Sequence, residues 1–203
     1  SFPTRRSSDL DFDGVLNSNK NYRTLQMLGV PTRDEYGTIF DSKCVECLRD
    51  IIDTIEIKIV ITSSWRFIYD MNMLCGMWRV RELPGYIYGM TPTNLLLDPA
   101  EEYIKGKEID YWFKRTGCYC EESKYAILDD EQSFLSHQQS HLVLTNPETG
   151  IIKNDVNKIL EILLKRTISS VNSCRLFVYR YIKERSIHPY QNTYASFLLT
   201  NLL

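Results

Sequence analysis

No apolar run in this 203-residue chain approaches the roughly 18 to 20 residues that cross a bilayer, and no charged-then-apolar stretch of the secretory type opens it. Charge of either sign is also not in excess. The 24 Lys and Arg stand against 26 Asp and Glu, for a formal net charge of -2, so no global basic field draws in nucleic acid and any polynucleotide contact has to be local. Together these absences predict a soluble, cytoplasmic protein without a membrane partner, and they point to no particular protein partner.

Metal-ligand patterns are equally incomplete. Cys44-x-x-Cys47 has no second C-x-x-C to complete four tetrahedral ligands and falls on an apolar helical pattern, so buried or reduced thiols are expected there rather than zinc. Cys118-x-Cys120, just after Gly117, reads as a loop. His137 and His141 are four apart, a spacing that can ligate a metal from one helix face, but no acidic third ligand accompanies them. Their polar Ser-His-Gln-Gln-Ser setting predicts surface side chains.

What is present begins at residues 10 to 17, Leu-Asp-Phe-Asp-Gly-Val-Leu-Asn. If this stretch is the end of a strand, Asp11 and Asp13 share a face, and two carboxylates so close need a cation or a shared proton. A calcium loop also contains D-x-D-G, yet here no further spaced acids and no glutamate at the twelfth position follow. The residues before Asp11 fit less well. A central parallel strand is covered on both faces and should be apolar, whereas SFPTRRSSDL is polar and resembles the translation of a sequencing-adapter oligonucleotide. Residues 1–10 are therefore expected to be a processing scar outside the domain.

Downstream, residues 18–40 have Gly29, Pro31 and Gly37 as punctuation and no clean period, which predicts a flap. Val45, Leu48, Ile51, Ile52 and Ile55 mark an amphipathic helix with Asp41 or Ser42 as its N-cap. Ile57–Ile61 reads as a buried strand ending in the hydroxyl cluster Thr62-Ser63-Ser64, where parallel sheets bind ligands. A helix over 66–78 ending near Gly76, a turn at Leu83-Pro84-Gly85 and a strand over 86–89 follow, then a loop over 90–100. The segment 67–104 reads as a short insertion. Lys105 opens a helix carrying Ile109, Trp112 and Phe113, stopped by Gly117. Tyr125–Leu128 is a strand ending in Asp129-Asp130-Glu131, three acids that need a positive partner. A strand over 142–144, a turn over 146–150 and a helix over 156–164 complete a single domain, 11–166. The stretch 167–203 is a tail that carries no functional reading.

The strand and helix alternation predicts a parallel sheet with helices on both faces. It collects Asp11/Asp13, Thr62/Ser63 and Asp129/Asp130 at one sheet end, with Lys105 able to reach the same side. In that order the four pieces resemble the four motifs of haloacid dehalogenase-like (HAD) phosphohydrolases. DFDGVLNS, KIVITSSWR, KGKEIDYWF, AILDDEQSF and TNPETGI, spread over about residues 10–165, resemble more closely the small HAD domain of Swiss Army Knife RNA repair proteins.

That resemblance implies a three-layer Rossmann-like α/β fold with a minimal cap. It implies Asp11 as nucleophile, Asp13 as general acid and base, Thr62 and Lys105 as stabilisers of the phosphoryl oxygens, and Mg²⁺ held by Asp11, the Asp13 carbonyl and Asp130 with Asp129 nearby. Thr62, Ser63 and Arg66 are the candidate substrate-binding residues. Lys105 stands where an arginine is expected, which keeps the charge and loses the bidentate fork. The implied substrate is a phosphorylated one, a nucleic-acid end in RNA repair. A small-metabolite or nucleotide phosphatase and a non-catalytic phospho-ligand module are the alternatives. Arg66, Arg79 and Arg81 with Trp65, Tyr69 and Trp78 are the residues that would bind a phosphate backbone and stack bases. The preferred reading of these is tryptophans in the core and arginines on a solvated face.

Overall fold

The computed structural model describes residues 7–93, 105–116 and 125–164. The expected loop beyond residue 93, the Gly117 stop, Cys118-x-Cys120 and the 167–203 tail lie outside these residues.

Five parallel strands form one sheet in the order β5-β4-β1-β6-β7. They are β1 (Ser7–Leu10), β4 (Lys58–Ile61), β5 (Ile87–Met90), β6 (Tyr125–Asp129) and β7 (Leu142–Leu144). A two-stranded antiparallel ribbon, β2 (Arg33–Asp34) with β3 (Gly37–Thr38), lies outside this sheet. Both faces of the sheet are covered, because alternate strand residues feed two apolar clusters. Leu10, Ile59, Ile61 and Leu128 pack with α2 (Ser42–Thr54), α3 (Met71–Val80) and α5 (Lys153–Leu164), while Val60 and Ile127 pack with Ile109, Trp112 and Phe113 of α4 (Lys105–Thr116). This is the three-layer Rossmann-like arrangement.

The polar quartet Ser7–Leu10 fills the central position of the sheet, with Leu10 opposite both Ile61 and Leu128. Backbone pairing on both edges holds it there, since the ladder needs only amides and carbonyls. The insertion 67–104 is also partly structural: α3 packs on β5, and β5 is an edge strand of the main sheet rather than a cap.

Two helices differ from the sequence expectation. The aperiodic 18–40 stretch contains α1 (Asn19–Met27), which buries no residue and so has no apolar spacing to read. In place of a helix over 66–78 there is a 3-10 turn at Ser64–Phe67, then α3, capped by the Asp70 side chain accepting from the Met73 amide at 2.9 Å. Gly76 lies inside α3 rather than at its end. The expected cap of α2 is present: Asp41 accepts from the Lys43 amide at 3.0 Å, and its second oxygen accepts from the Ser18 hydroxyl at 2.6 Å. Ser18 in turn caps α1, so one buried hydrogen bond joins the starts of two helices. Cys44, on the buried face of α2, has its thiol pushed up to about 12 by burial and then by Asp41, which leaves it unreactive at neutral pH. No helix among the described residues is long and apolar enough to cross a membrane.

Candidate active site

The carboxyl ends of β1, β4 and β6 converge because β1 is central and its neighbours run parallel to it. Just past β1, the Asp11 amide donates to the Leu128 carbonyl at 3.1 Å, and the Thr62 amide donates to the Leu10 carbonyl at 3.0 Å. Asp11, Thr62 and Asp129 therefore stand side by side and are buried.

The Asp13 carboxylate does not join the carboxylate group to which Asp11 belongs, although the spacing predicts one shared volume. The chain leaves the extended conformation at Phe12, whose carbonyl accepts from the amides of Val15, Leu16 and Asn17 at 3.3, 2.8 and 2.9 Å. The i and i+2 rule holds only while the backbone is extended, and this tight turn releases Asp13 from it. Phe12 goes into the core against Phe40 and Trp65, while Asp13 is exposed. One Asp13 oxygen accepts from Asn17 Nδ2 at 2.7 Å and the other from Trp65 Nε1 at 2.9 Å.

The carboxylates that do converge are Asp11, Asp129 and Asp130, each offering an oxygen within 4.8 Å of the others. Gly14 makes this possible. Its φ is +69°, and a Cβ there would lie 2.3 Å from Asp130 Cγ and Oδ2. The turn is pinned from the far side by the Thr145 hydroxyl, which donates to the Gly14 carbonyl at 2.9 Å, and by the Ile151 amide, which donates to the Val15 carbonyl at 2.9 Å.

Lys105 reaches this cluster from the first residue of α4. Its single ammonium donates to Asp11 Oδ2 and Asp129 Oδ2, both at 2.7 Å, and Glu131 lies 3.8 Å away. The helix start is fixed by Gly106, whose amide donates to the Ser133 carbonyl at 3.1 Å and whose carbonyl accepts from Gln138 Nε2 at 2.9 Å. A side chain at 106 would meet Gln138 Oε1 at 2.2 Å. Burial works against the Lys105 ammonium, but Asp11 and Asp129 outweigh it and hold its pKa above the usual lysine range. Burial first and Asp11 second push Asp129 up to about 7 against the pull of Lys105, and the same two causes raise Asp130.

One cation for three converging carboxylates leaves an excess of negative charge, and all the donors are hard oxygens. A divalent ion such as Mg²⁺ fits that set, and Asp11, Asp129 and Asp130 are the residues that could hold it. The Asp13 side chain is outside the cluster, so this residue could contribute only its backbone carbonyl. Gly14→Ala is expected to push Asp130 out of line and weaken Mg²⁺ binding by about ten- to a hundredfold, as read by isothermal titration calorimetry. Unchanged affinity would show that Asp130 is not a ligand.

The hydroxyls of the T-S-S cluster divide. Ser63 Oγ accepts from the Trp65 amide at 3.4 Å and starts the 3-10 turn. Thr62 Oγ1 is fully buried with no hydrogen-bond partner, a costly state that a ligand oxygen would relieve. Arg66, expected at the substrate, points elsewhere: its guanidinium pairs with the fully buried Glu108 one turn along α4 from Lys105 and donates to the Ser63 carbonyl at 3.1 Å. Arg66 thus ties the end of β4 to the helix that carries Lys105. Arg81 is also engaged, forking onto Asp34 of β2 at 2.9 and 2.7 Å. Trp78 is core, its indole donating to the Pro84 carbonyl at 3.1 Å.

Asn17, Trp65, Glu108 and Thr145 carry site contacts that sequence spacing did not reveal. A signal existed for Thr145 alone, a hydroxyl directly after a strand. His137 and His141 do not meet as a pair: His137 bonds Asp110 at 3.0 Å, and His141 bonds the Tyr125 carbonyl at 2.9 Å while stacking on the Tyr125 ring.

Residues 10–156 match the family model described as the HAD domain in Swiss Army Knife RNA repair proteins. No curated protein matches, and no solved structure matches.

Proposed function

The chain belongs to the family of HAD domains in Swiss Army Knife RNA repair proteins, and from that premise we propose that it is a Mg²⁺-dependent phosphatase working through an aspartyl-phosphate on phosphorylated nucleic-acid ends. The observation that carries this reading is a nucleophile-grade carboxylate set among a cation, two further acids and an unpartnered hydroxyl. Asp11 sits 2.7 Å from Lys105 and within 4.8 Å of Asp129 and Asp130, directly after Leu10, which pairs with Ile61 just ahead of Thr62.

Asp11 attacks phosphorus, its oxygen forming the new P–O bond as the bond to the leaving oxygen breaks. Asp13 gives its proton to that leaving oxygen, then takes one from the water that hydrolyses the acyl-phosphate, so inorganic phosphate departs and both carboxyl groups return to their starting states. Thr62 donates its hydroxyl to a phosphoryl oxygen, and Lys105 holds Asp11 in line while offsetting charge on the transferring group. Asp11, Asp130 and the Asp13 carbonyl would hold Mg²⁺, which would supply charge neutralisation to the phosphoryl group.

The test is phosphate release from an aryl phosphate, from mononucleotides and from 5′- and 3′-phosphorylated oligoribonucleotides, with and without Mg²⁺. Mg²⁺-dependent release, fastest on one class of oligonucleotide end, is expected. A preference for mononucleotides would replace the nucleic-acid substrate by a metabolite, and no release from any substrate would overturn the reading.

A further inference from the structure

Asp13 is an exposed carboxylate on a turn, a position where a side chain ordinarily samples several rotamers. Here both of its oxygens are occupied by donors from different parts of the chain. Asn17 Nδ2 reaches Oδ1 from the far end of the same turn at 2.7 Å, and Trp65 Nε1 reaches Oδ2 from the turn after β4 at 2.9 Å. The indole itself is fixed, packed edge-on against Phe12 at 5.4 Å and against Phe40 and Tyr69 at 5.7 and 6.0 Å. Gly37 of β3 packs close to the outer edge of its six-membered ring, since a Cβ there would lie 3.0 Å from Trp65 Cη2, and the Arg81 guanidinium lies 5.7 Å from its centroid.

We propose that Trp65, assisted by Asn17, is a positioning residue that holds the Asp13 carboxyl at one orientation for proton transfer to the leaving oxygen. The inference rests on the phosphatase reading above, with Asp13 as acid and base. An indole N–H can only donate, and an amide facing a carboxylate must present its NH₂. The clamp therefore occupies one lone pair on each Asp13 oxygen and leaves another free to carry the transferable proton. Because the Asp13 carboxyl lies outside the Asp11, Asp129 and Asp130 group, the two donors replace the orientation that the cluster would otherwise provide. The tryptophan of T-S-S-W thus acts through Asp13, not as a base-stacking surface, for which its buried ring is unsuited.

A leaving group that needs a proton separates this role from simple support of the core. The experiment compares Trp65→Phe and Asn17→Ala with the unaltered protein on 4-nitrophenyl phosphate, whose leaving oxygen is stable without a proton, and on an alkyl phosphate, whose leaving oxygen is not. The expected result for Trp65→Phe is a fall of about tenfold or more in the ratio of alkyl to aryl kcat, a part of the contribution general acids make. KM is expected to change little, and Asn17→Ala should show the same signature more weakly. If Trp65→Phe does not fold, the benzothienyl isostere of tryptophan placed at position 65 keeps the ring volume, lacks the N–H, and should give the same drop in ratio. Equal losses on the two substrates would overturn the positioning role while leaving the phosphatase reading intact. An unaltered protein inactive on both would overturn both.

Discussion

Asp11→Asn is expected to lower phosphomonoester turnover by about 10³-fold or more while leaving a folded protein. The loss follows from chemistry: an amide oxygen is a poor nucleophile, and removal of a covalent nucleophile leaves only the positioning and electrostatic contributions of the site. The fold should survive because the replacement is isosteric. The Asp11 oxygen that accepts from the Phe12 amide at 2.6 Å has a counterpart in asparagine, and Lys105 keeps its bond to Asp129. Losing one of three converging carboxylates also removes a charge that raises Asp129 and Asp130. Steady-state rates, a thermal melt and ¹⁹F NMR of beryllium fluoride binding read the three parts of this expectation. The variant should lose turnover and the fluoride adduct together and retain a cooperative melt. Residual activity within tenfold of the unaltered protein would remove Asp11 from the chemistry.

What could be read from the sequence was set by periodicity and by charge at strand ends. The helix at Ser42–Thr54 was legible because it buries a face of regular spacing, and the strand at Lys58–Ile61 because it is a short β-branched run buried on both sides. Asp129 and Asp130 were legible because adjacent acids after an apolar run require compensation, and Lys105 is the cation that meets Asp129. The placing of Asp13 outside the carboxylate group was not legible, because the strand stops at Leu10 and three amides gathering on the Phe12 carbonyl turn the chain between Asp11 and Asp13. Arg66 was misplaced because Glu108, its partner, is 42 residues away and no local pattern links them. Trp65 read correctly as core, but its N–H is directed by the turn that follows Ser63, which backbone hydrogen bonds to the Ser63 and Trp65 carbonyls form and no spacing of apolar residues announces. Across these cases, local rules held within elements and failed where a turn or a distant partner set the side chain.

Lys105 also explains why a lysine stands where the family resemblance leads one to expect arginine. One nitrogen lies 2.7 Å from oxygens on two different strands, a bridge that suits a compact ammonium better than a planar fork. The start of α4 is also tightly packed, since a Cβ on Gly106 would lie 2.2 Å from Gln138 Oε1 and 2.8 Å from the Leu135 amide nitrogen. Lys105→Met is therefore expected to destabilise the Mg²⁺-free protein by about 3 kcal/mol, within the range for removing one partner of a buried ion pair. It leaves Asp11 and Asp129 facing each other with no cation, and Asp129, already raised to about 7, relieves part of the strain by taking up a proton. Saturating Mg²⁺ should restore part of the lost stability, because an ion bound only by the folded state stabilises it by mass action, but not turnover. Lys105→Arg should retain more stability than Lys105→Met and still lose about tenfold or more in rate, since two separated nitrogens cannot reproduce the single point between the strands. Thermal melts with and without Mg²⁺, paired with kcat for each variant, check the series. A Lys105→Met protein as stable as the original without metal would mean that the ammonium does not offset the acidic cluster, and a fully active Lys105→Arg would mean that the single-nitrogen bridge is dispensable.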